Sequence, residues 1–470
     1  MGENFKPENW QQLQQAINWA VQEKAPLEIL GAGSKRGLGH LVRARHRLSL
    51  AGMSGISLYE PEELVLSAAA GTPLSQVKET LAQSRQELAF EPLDLGPLYG
   101  APQGQGTLAG AIACNLAGPR RIKAGAARDH FLGFRCITGR GEEIKSGARV
   151  VKNVTGYDLS KVMAGSYGTL AVMGEVTLKV LPAAEKTYTA MVLGQDLAAA
   201  VKAMSLALNS PFDLSGAAYL PVGAAALSEV SQVSQAGQAV TVLRLEGTAL
   251  SVRDRCQSLR AALAQFGETA ELHSHNSRLL WAELAALKPV SENQDRAVWR
   301  LSVAPTLAPK IGDLLANVAN ALYYADWGGG LLWIAMPAQG DGGASLLRGA
   351  VADLGGHVTL SMFRLFLLLM AVLTTAFWLL FSWQNLSTIF GFEALSQFLL
   401  PEQMFLAISA GSPVLAVWLF VAWLMARRSA GKSTGRMVLR EQEEAEEFYP
   451  QGPGRQEQAG SPEALGLAGR

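Results

Sequence analysis

Three short glycine-rich runs hold the residues of this chain best suited to chemistry. Gly31-Ala32-Gly33-Ser34-Lys35 follows directly on the apolar, strand-like run 27–30. Glycines placed there let backbone N–H groups turn inward and approach a pyrophosphate closely, forming an anion-binding nest. Ser34 adds a hydroxyl donor and Lys35 a positive charge. The run is neither the dinucleotide fingerprint GxGxxG nor a Walker loop, and taken alone a glycine turn needs no ligand. Gly106-Thr107-Leu108-Ala109-Gly110 enters a helix-like segment that reaches Asn115. Gly110, Ala111 and Ala113 leave space for a planar ring or a phosphate, although small residues also serve tight helix packing. The third run, Gly165-Ser166-Tyr167-Gly168-Thr169, leads into an apolar stretch holding Val172 and Met173.

Other reactive side chains form no pattern. His40, His46, His130, His273, His275 and His357 are scattered, and each alone reads as a surface or core histidine. The alternation of His273 and His275 would place both on one face of a strand. Two such ligands, with neither a carboxylate nor a third histidine beside them, make no metal site. Cys114, Cys136 and Cys256 are widely spaced with no CxxC pair, which excludes a disulfide framework and a self-contained zinc or iron–sulfur centre. They read as small hydrophobes in a reducing compartment. Gly118-Pro119-Arg120-Arg121 is a turn whose arginines read as solvated.

The ordered set, from Thr107-Leu108-Ala109-Gly110 through Asn115-Leu116-Ala117-Gly118-Pro119-Arg120-Arg121, Arg128-Asp129 and Lys152-Asn153-Val154-Thr155-Gly156-Tyr157-Asp158-Leu159 to Gly165-Ser166-Tyr167-Gly168-Thr169-Leu170, resembles the FAD domain of the vanillyl-alcohol-oxidase-type flavoproteins. Within that superfamily the wording is most similar to the FAD-binding E subunits of bacterial glycolate oxidases. The resemblance implies noncovalent FAD, because the first loop carries Gly-Ser-Lys where a covalent link needs a histidine. It places the pyrophosphate at Gly31, Ala32, Gly33, Ser34 and Lys35. The ribityl chain and isoalloxazine would lie along Gly106, Thr107, Leu108, Gly110 and Asn115. Gly165, Ser166, Gly168 and Thr169, with backbone of Val172 and Met173, would lie against the same cofactor. Asp158 and Arg128 are candidates for holding loops in place.

The elements that must position these runs can be read from periodicity. Helical spacing of Leu13, Ile17, Ala20 and Val21 marks a helix over 9–22. Strands are expected over 27–30 and 64–70, a helix over 74–84, and strands with glycine turns over 130–182. Beyond Pro182 strands and helices alternate, as in a helix layer on a sheet. The fold class is therefore α+β. The resemblance implies a two-subdomain PCMH-type FAD-binding domain (1–182) and a truncated ferredoxin-like cap (183–360). The composition beyond them leads to the expectation of a transmembrane hairpin (361–426) and a disordered tail (427–470).

Two apolar runs, helices over about 362–383 and 404–426, each match the ~20 residues that cross a bilayer. Arg427, Arg428, Lys432, Arg436 and Arg440 follow the second, which places the tail, and with it the FAD domain, on the cytoplasmic side of the inner membrane. The N-terminus has neither a basic start nor an apolar core, so it is no secretory signal. With 40 Lys and Arg against 40 Asp and Glu the chain has no basic excess and no nucleic-acid footprint. The family's Asn-Pro-Gly-Arg-like closing segment is missing, and Met362 could mark the start of a once separate membrane protein.

The resemblance implies a redox subunit of a glycolate oxidase complex, oxidising glycolate to glyoxylate and passing electrons towards membrane quinone. Its implied partners are a homologous flavin subunit and an iron–sulfur subunit. A self-sufficient membrane-anchored dehydrogenase of lactate or another 2-hydroxy acid is the second reading, and a non-catalytic anchoring subunit the third. No catalytic residue can be named, but a 2-hydroxy acid wants an arginine for its carboxylate. Arg300 and Arg278 are candidates by type.

Overall fold

The computed structural model describes residues 2–38, 42–100, 102–147, 157–292 and 295–362. The expected membrane spans beyond Met362, the tail, His40 and residues 152–156 lie outside the described residues. Among the described residues no helix is long and apolar enough to cross a membrane.

Among the described residues the N-terminal half holds two main sheets on one core, beside a short pairing of Gln86–Glu87 with Leu181–Pro182. Asn9 caps the helix Trp10–Gln22 by accepting the Gln12 N–H at 3.0 Å, which satisfies one orphan donor of the first turn. Leu13, Ala16 and Ile17 then face inward at helical spacing. This helix supplies the crossover that parallel strands require. It links Asn4–Phe5 to Leu27–Leu30, and both strands pair in parallel with His46–Ser49 between them. The second sheet is antiparallel, in the order Ile56–Glu60, Val65–Ala69, Ala171–Lys179, Phe131–Thr138, Glu143–Gly147. Leu13 and Leu48 from the first sheet's layer share a buried cluster with Leu66, Phe134 and Val176 of the second.

The cap is one antiparallel sheet of eight strands. Its first unit runs strand Lys186–Leu193, helix Leu197–Leu208, strands Leu214–Leu220 and Val240–Gly247, helix Ala249–Leu263 and strand Thr269–Leu272. The second repeats that βαββαβ order with Arg296–Ser302, Ala308–Ala316, Leu322–Asp326, Leu331–Pro337, Ala344–Leu354 and His357–Met362. Each unit is ferredoxin-like, and the two join where Tyr219 pairs with Ala325. The second unit is whole, because its last strand runs to Met362 opposite Val298. Met362, expected to open a membrane helix, therefore belongs to the cap sheet.

The alternation of strand Arg296–Ser302 decides what each face of the sheet meets. Ala297, Trp299 and Leu301 pack with Met204, Leu259, Ile311 and Leu347 of the helix layer. Val298 and Met362 turn the other way, into a cluster with Leu93, Leu95, Leu98 and Leu116 of the N-terminal half. The second face of the cap is thus buried on the glycine-run domain, and what projects from it looks onto the candidate site.

Candidate flavin site at the domain boundary

The three glycine runs converge. The strand Leu27–Leu30 ends where Gly31 begins, and a Cβ on Gly31 would stand 2.2 Å from Thr107 Oγ1. Only glycine allows the first and second runs to touch here. The second run is pinned from behind: Leu108 N–H donates to Thr72 O at 2.9 Å, and Leu74 N–H to Gly106 O at 2.8 Å. Helix Leu108–Ala113 then starts at Thr107, whose side chain caps nothing. The third run docks on that helix, with Gly165 N–H donating to Ile112 O and Tyr167 N–H to Ala113 O. Asn115, at φ +47°, accepts the Arg128 N–H on its Oδ1. This bond uses the Arg128 backbone rather than its side chain. Asp158 pairs with Lys161 on the surface at 3.0 Å.

Lys35 is the charged centre of this arrangement. Its ammonium is buried, and a Cβ on Gly106 or Gly110 would lie 3.4 or 3.5 Å from Nζ. Among the described residues its one hydrogen bond is to Ser34 Oγ, at 3.3 Å. Burial lowers its pKa, while Cys114 and Asp94 act in the opposite sense. An ammonium has three donors, so this one is underused. In the third run, Ser166 Oγ is buried without a partner among the described residues. Glycine-lined contacts, an underpaired cation and an orphaned hydroxyl fit a phosphate-bearing cofactor. Gly31 to Lys35 and Thr107 would hold its phosphates, and the Gly165–Thr169 run would face it from the other side. Val172 lies buried in strand Ala171–Lys179, paired with Ile137, so it can offer only backbone.

Several residues of the site were not marked by the sequence. Tyr99 comes within a tight contact of Gly37 and donates its hydroxyl to Ser361 O of the last cap strand. Cys114 lies near Lys35, and burial pushes its thiol up to about 11. Tyr167 sits at φ +54° between Gly165 and Gly168, both also at positive φ. The expected solvated arginines are a correction. Arg120 is almost fully buried and pairs with Glu87, Glu91 and Glu246. Arg121 lies with its guanidinium carbon 4.6 Å from the Trp327 ring centroid. The signal for both was the Arg-Arg pair after a Gly-Pro turn, but their partners are distant in sequence: Glu87 and Glu91 from the same half, and Glu246 and Trp327 from the cap.

The two arginines chosen by type separate. Arg300 projects from the inner cap face towards Trp327, at 5.3 Å from the ring centroid. Arg278 is bonded to Glu185 O at 3.1 Å and is exposed. The expectation for His273 and His275 is also corrected. The strand ends at Leu272, His273 is the N-cap of helix Ser274–Ala285, and His275 lies inside that helix. A carboxylate does lie beside them, since His273 Nε2 is 3.0 Å from Glu271 Oε1. No group of three metal-ligand side chains is assembled among the described residues. All three cysteines are free thiols.

A two-sheet domain with glycine runs converging under a ferredoxin-like cap defines a PCMH-type FAD-binding oxidoreductase. The family profile described as FAD binding domain matches residues 4–147. The glycolate oxidase subunit GlcE of Escherichia coli (strain K12) is 33% identical over 354 residues, covering 74% of this chain and 86% of that protein. The glycolate oxidase subunit GlcD of Bacillus subtilis (strain 168) is 28% identical over 224 residues, covering 45% of this chain and 47% of that one. Among solved structures, an alkyldihydroxyacetonephosphate synthase shares the fold at TM-score 0.59 and 15% identity, over 75% of this chain and 72% of that one. The chain belongs to the family of the glycolate oxidase subunit GlcE. It is an FAD-dependent oxidoreductase of the glycolate oxidase and 2-hydroxy-acid dehydrogenase family.

Proposed function

We propose that this chain is the FAD-binding redox subunit of a glycolate oxidase complex that converts glycolate to glyoxylate. The observation that carries this reading is the convergence of the three glycine runs: the first two meet beside Lys35, and the third docks on the helix that the second run opens. Bound FAD would accept the hydride equivalent from the substrate carbon and release electrons onward. The chain's own part is to hold the phosphates, keep water out beneath the cap and present polar groups from two domains. No histidine stands in the loop Gly31 to Lys35, which supports noncovalent FAD.

The partners in this reading are a homologous flavin subunit and an iron–sulfur subunit. The relatives named as subunits GlcE and GlcD support a multi-subunit assembly. The apolar runs after Met362 support attachment to the cytoplasmic face of the inner membrane, where quinone would receive the electrons. The Arg121–Trp327–Arg300 arrangement favours a second reading, in which this chain itself oxidises a 2-hydroxy acid without the homologous subunit.

The test is the visible spectrum of full-length protein purified alone in detergent, followed by anaerobic addition of glycolate. Near-stoichiometric flavin that glycolate leaves oxidised, but bleaches once the homologous subunit is added, is the expected result. Bleaching of the chain alone would establish the second reading. A folded, colourless protein that takes up no added FAD would remove both in favour of an anchoring role.

A further inference from the structure

Arg120 and Arg121 are consecutive, yet they meet opposite fates. Arg120 is surrounded by Glu87, Glu91 and Glu246. Arg121 has no carboxylate partner among the described residues, and neither has Arg300. Both guanidinium groups lie instead against one indole, that of Trp327.

Each part of this arrangement is held from outside. Arg300 comes from the middle of the cap strand Arg296–Ser302, between Trp333 and Thr359 in register. Arg121 starts the short helix Arg121–Ala124 of the FAD-binding half. Trp327 is fixed by its Nε1–H, which donates to Gly118 O at 3.1 Å, and by Asp326, whose Oδ1 accepts the Trp327 N–H at 2.7 Å. Trp327 has φ +54°, a left-handed conformation that costs a bulky residue energy and persists only where the surroundings impose it. Tyr167, also at positive φ, stands in the third glycine run within electrostatic range of Arg300.

Two like charges sharing one ring repel. Burial, and then the charge of Arg121, lower the pKa of Arg300. Cation–π contact with an indole recovers only part of that cost. A bidentate carboxylate would recover the rest, because the planar fork matches it. We propose that Arg121 and Arg300, cushioned by Trp327 and faced by Tyr167, form a carboxylate subsite across the boundary between the FAD-binding half and the cap. It takes a small monocarboxylate such as a 2-hydroxy acid, and one ligand ties the two halves together. The proposal rests on the flavin-dependent 2-hydroxy-acid reading above. It goes beyond that reading in placing a substrate-type site on this chain, whichever subunit performs the oxidation.

The experiment titrates oxalate, an unreactive small carboxylate, into full-length FAD-loaded protein in detergent. It follows the flavin difference spectrum and the heat of binding together. Arg121→Lys and Arg300→Lys should each weaken oxalate about tenfold or more, with unchanged flavin content. Arg278→Lys, at an exposed arginine bonded to Glu185 O, should bind as wild type does. Oxalate affinity unchanged in both variants would overturn the subsite, as would a pure shift in flavin reduction potential, which would assign the pair to the cofactor's own negative charge. Fully flavinated wild-type protein that binds no oxalate would sink the subsite and leave the flavin reading standing. Colourless protein would sink the flavin reading, and calorimetry of the apoprotein would still decide the subsite by the same variants.

Discussion

Arg244 of the cap and Glu91 of the FAD-binding half meet in a two-pronged ion pair, Nη1–Oε1 at 2.7 Å and Nη2–Oε2 at 2.9 Å. Arg244 is 2% exposed and also lies 4.5 Å from the Trp281 ring centroid. The pair welds the two halves beside the candidate site, and its two ends are unequally supported. Glu91 keeps a second cation, since Arg120 Nε stands 3.5 Å away and the Arg120 N–H donates to it at 2.9 Å. Arg244 would keep only Glu246 at 4.0 Å and the Ser215 carbonyl at 3.3 Å.

Removing one member of a buried pair costs about 3–5 kcal/mol, because the other is left charged and dry. Arg244→Met should therefore fall at the lower end of that range and Glu91→Met at the upper end. Urea unfolding of both variants and the double mutant checks the order. Equal losses, or a double mutant as costly as the sum of the singles, would refute this account of the weld.

Asp326 gives the protein a pH dependence of defined sign. It is buried, and desolvation raises its carboxyl to about 7 although the Trp327 N–H and Arg244 favour the charged form. A carboxyl whose folded pKa lies above its unfolded value contributes stability that is fully present below pH about 4. That contribution is lost as pH rises through 7. Asp326→Asn keeps an acceptor for the Trp327 N–H and cannot ionise. The variant should match wild type near pH 4 and exceed it at pH 8, by up to about 4 kcal/mol for a shift of some three units. Thermal unfolding at the two pH values measures it, and a variant advantage that grows towards acid would refute the assignment.

How much of this could be read from the chain follows a physical divide. Local order was legible: helix Trp10–Gln22 and strand Leu27–Leu30 stand where apolar spacing put them. The glycine runs were legible too, because a φ or a close approach that only glycine tolerates leaves a mark in sequence. Partner choice was not. Nothing local tells Arg120, buried among three glutamates, from Arg121 beside it, since those glutamates lie near positions 90 and 246. His273 and His275 misled because an i, i+2 spacing carries strand meaning only if the strand continues, and it stops at Leu272.

Gly31 should be intolerant of even a methyl group. Its Cβ would meet Thr107 Oγ1 at 2.2 Å and Cγ2 at 3.0 Å, far inside contact distance. Thr107 is itself held, through the hydrogen bonds of Leu108 and Leu74 around it. Gly31→Ala should therefore push the first two runs apart and weaken FAD about tenfold or more, while the cap remains folded. Flavin fluorescence during reconstitution of the apoprotein reads the affinity. Adding Thr107→Gly removes the colliding atoms and should restore part of it. A Gly31→Ala protein with wild-type FAD affinity would show that the two runs do not hold the cofactor together.

Lys35 should show opposite signs in the empty and loaded protein. In the apoprotein its largely buried ammonium has only Ser34 Oγ, at 3.3 Å, among the described residues, and an underpaired buried charge is destabilising. Lys35→Met removes that charge at similar volume, so the apoprotein should melt higher, by a few degrees for about 1 kcal/mol. In the proposed site, a phosphate of bound FAD would supply the missing acceptors and stabilise the ammonium in turn. The same variant should then bind FAD about tenfold more weakly, and its affinity should depend less on salt. Melting curves with and without FAD, beside a salt series of FAD titrations, separate the two effects. If Lys35→Met destabilised the apoprotein and left FAD affinity unchanged, Lys35 would be a packing residue, its pairing complete within the fold.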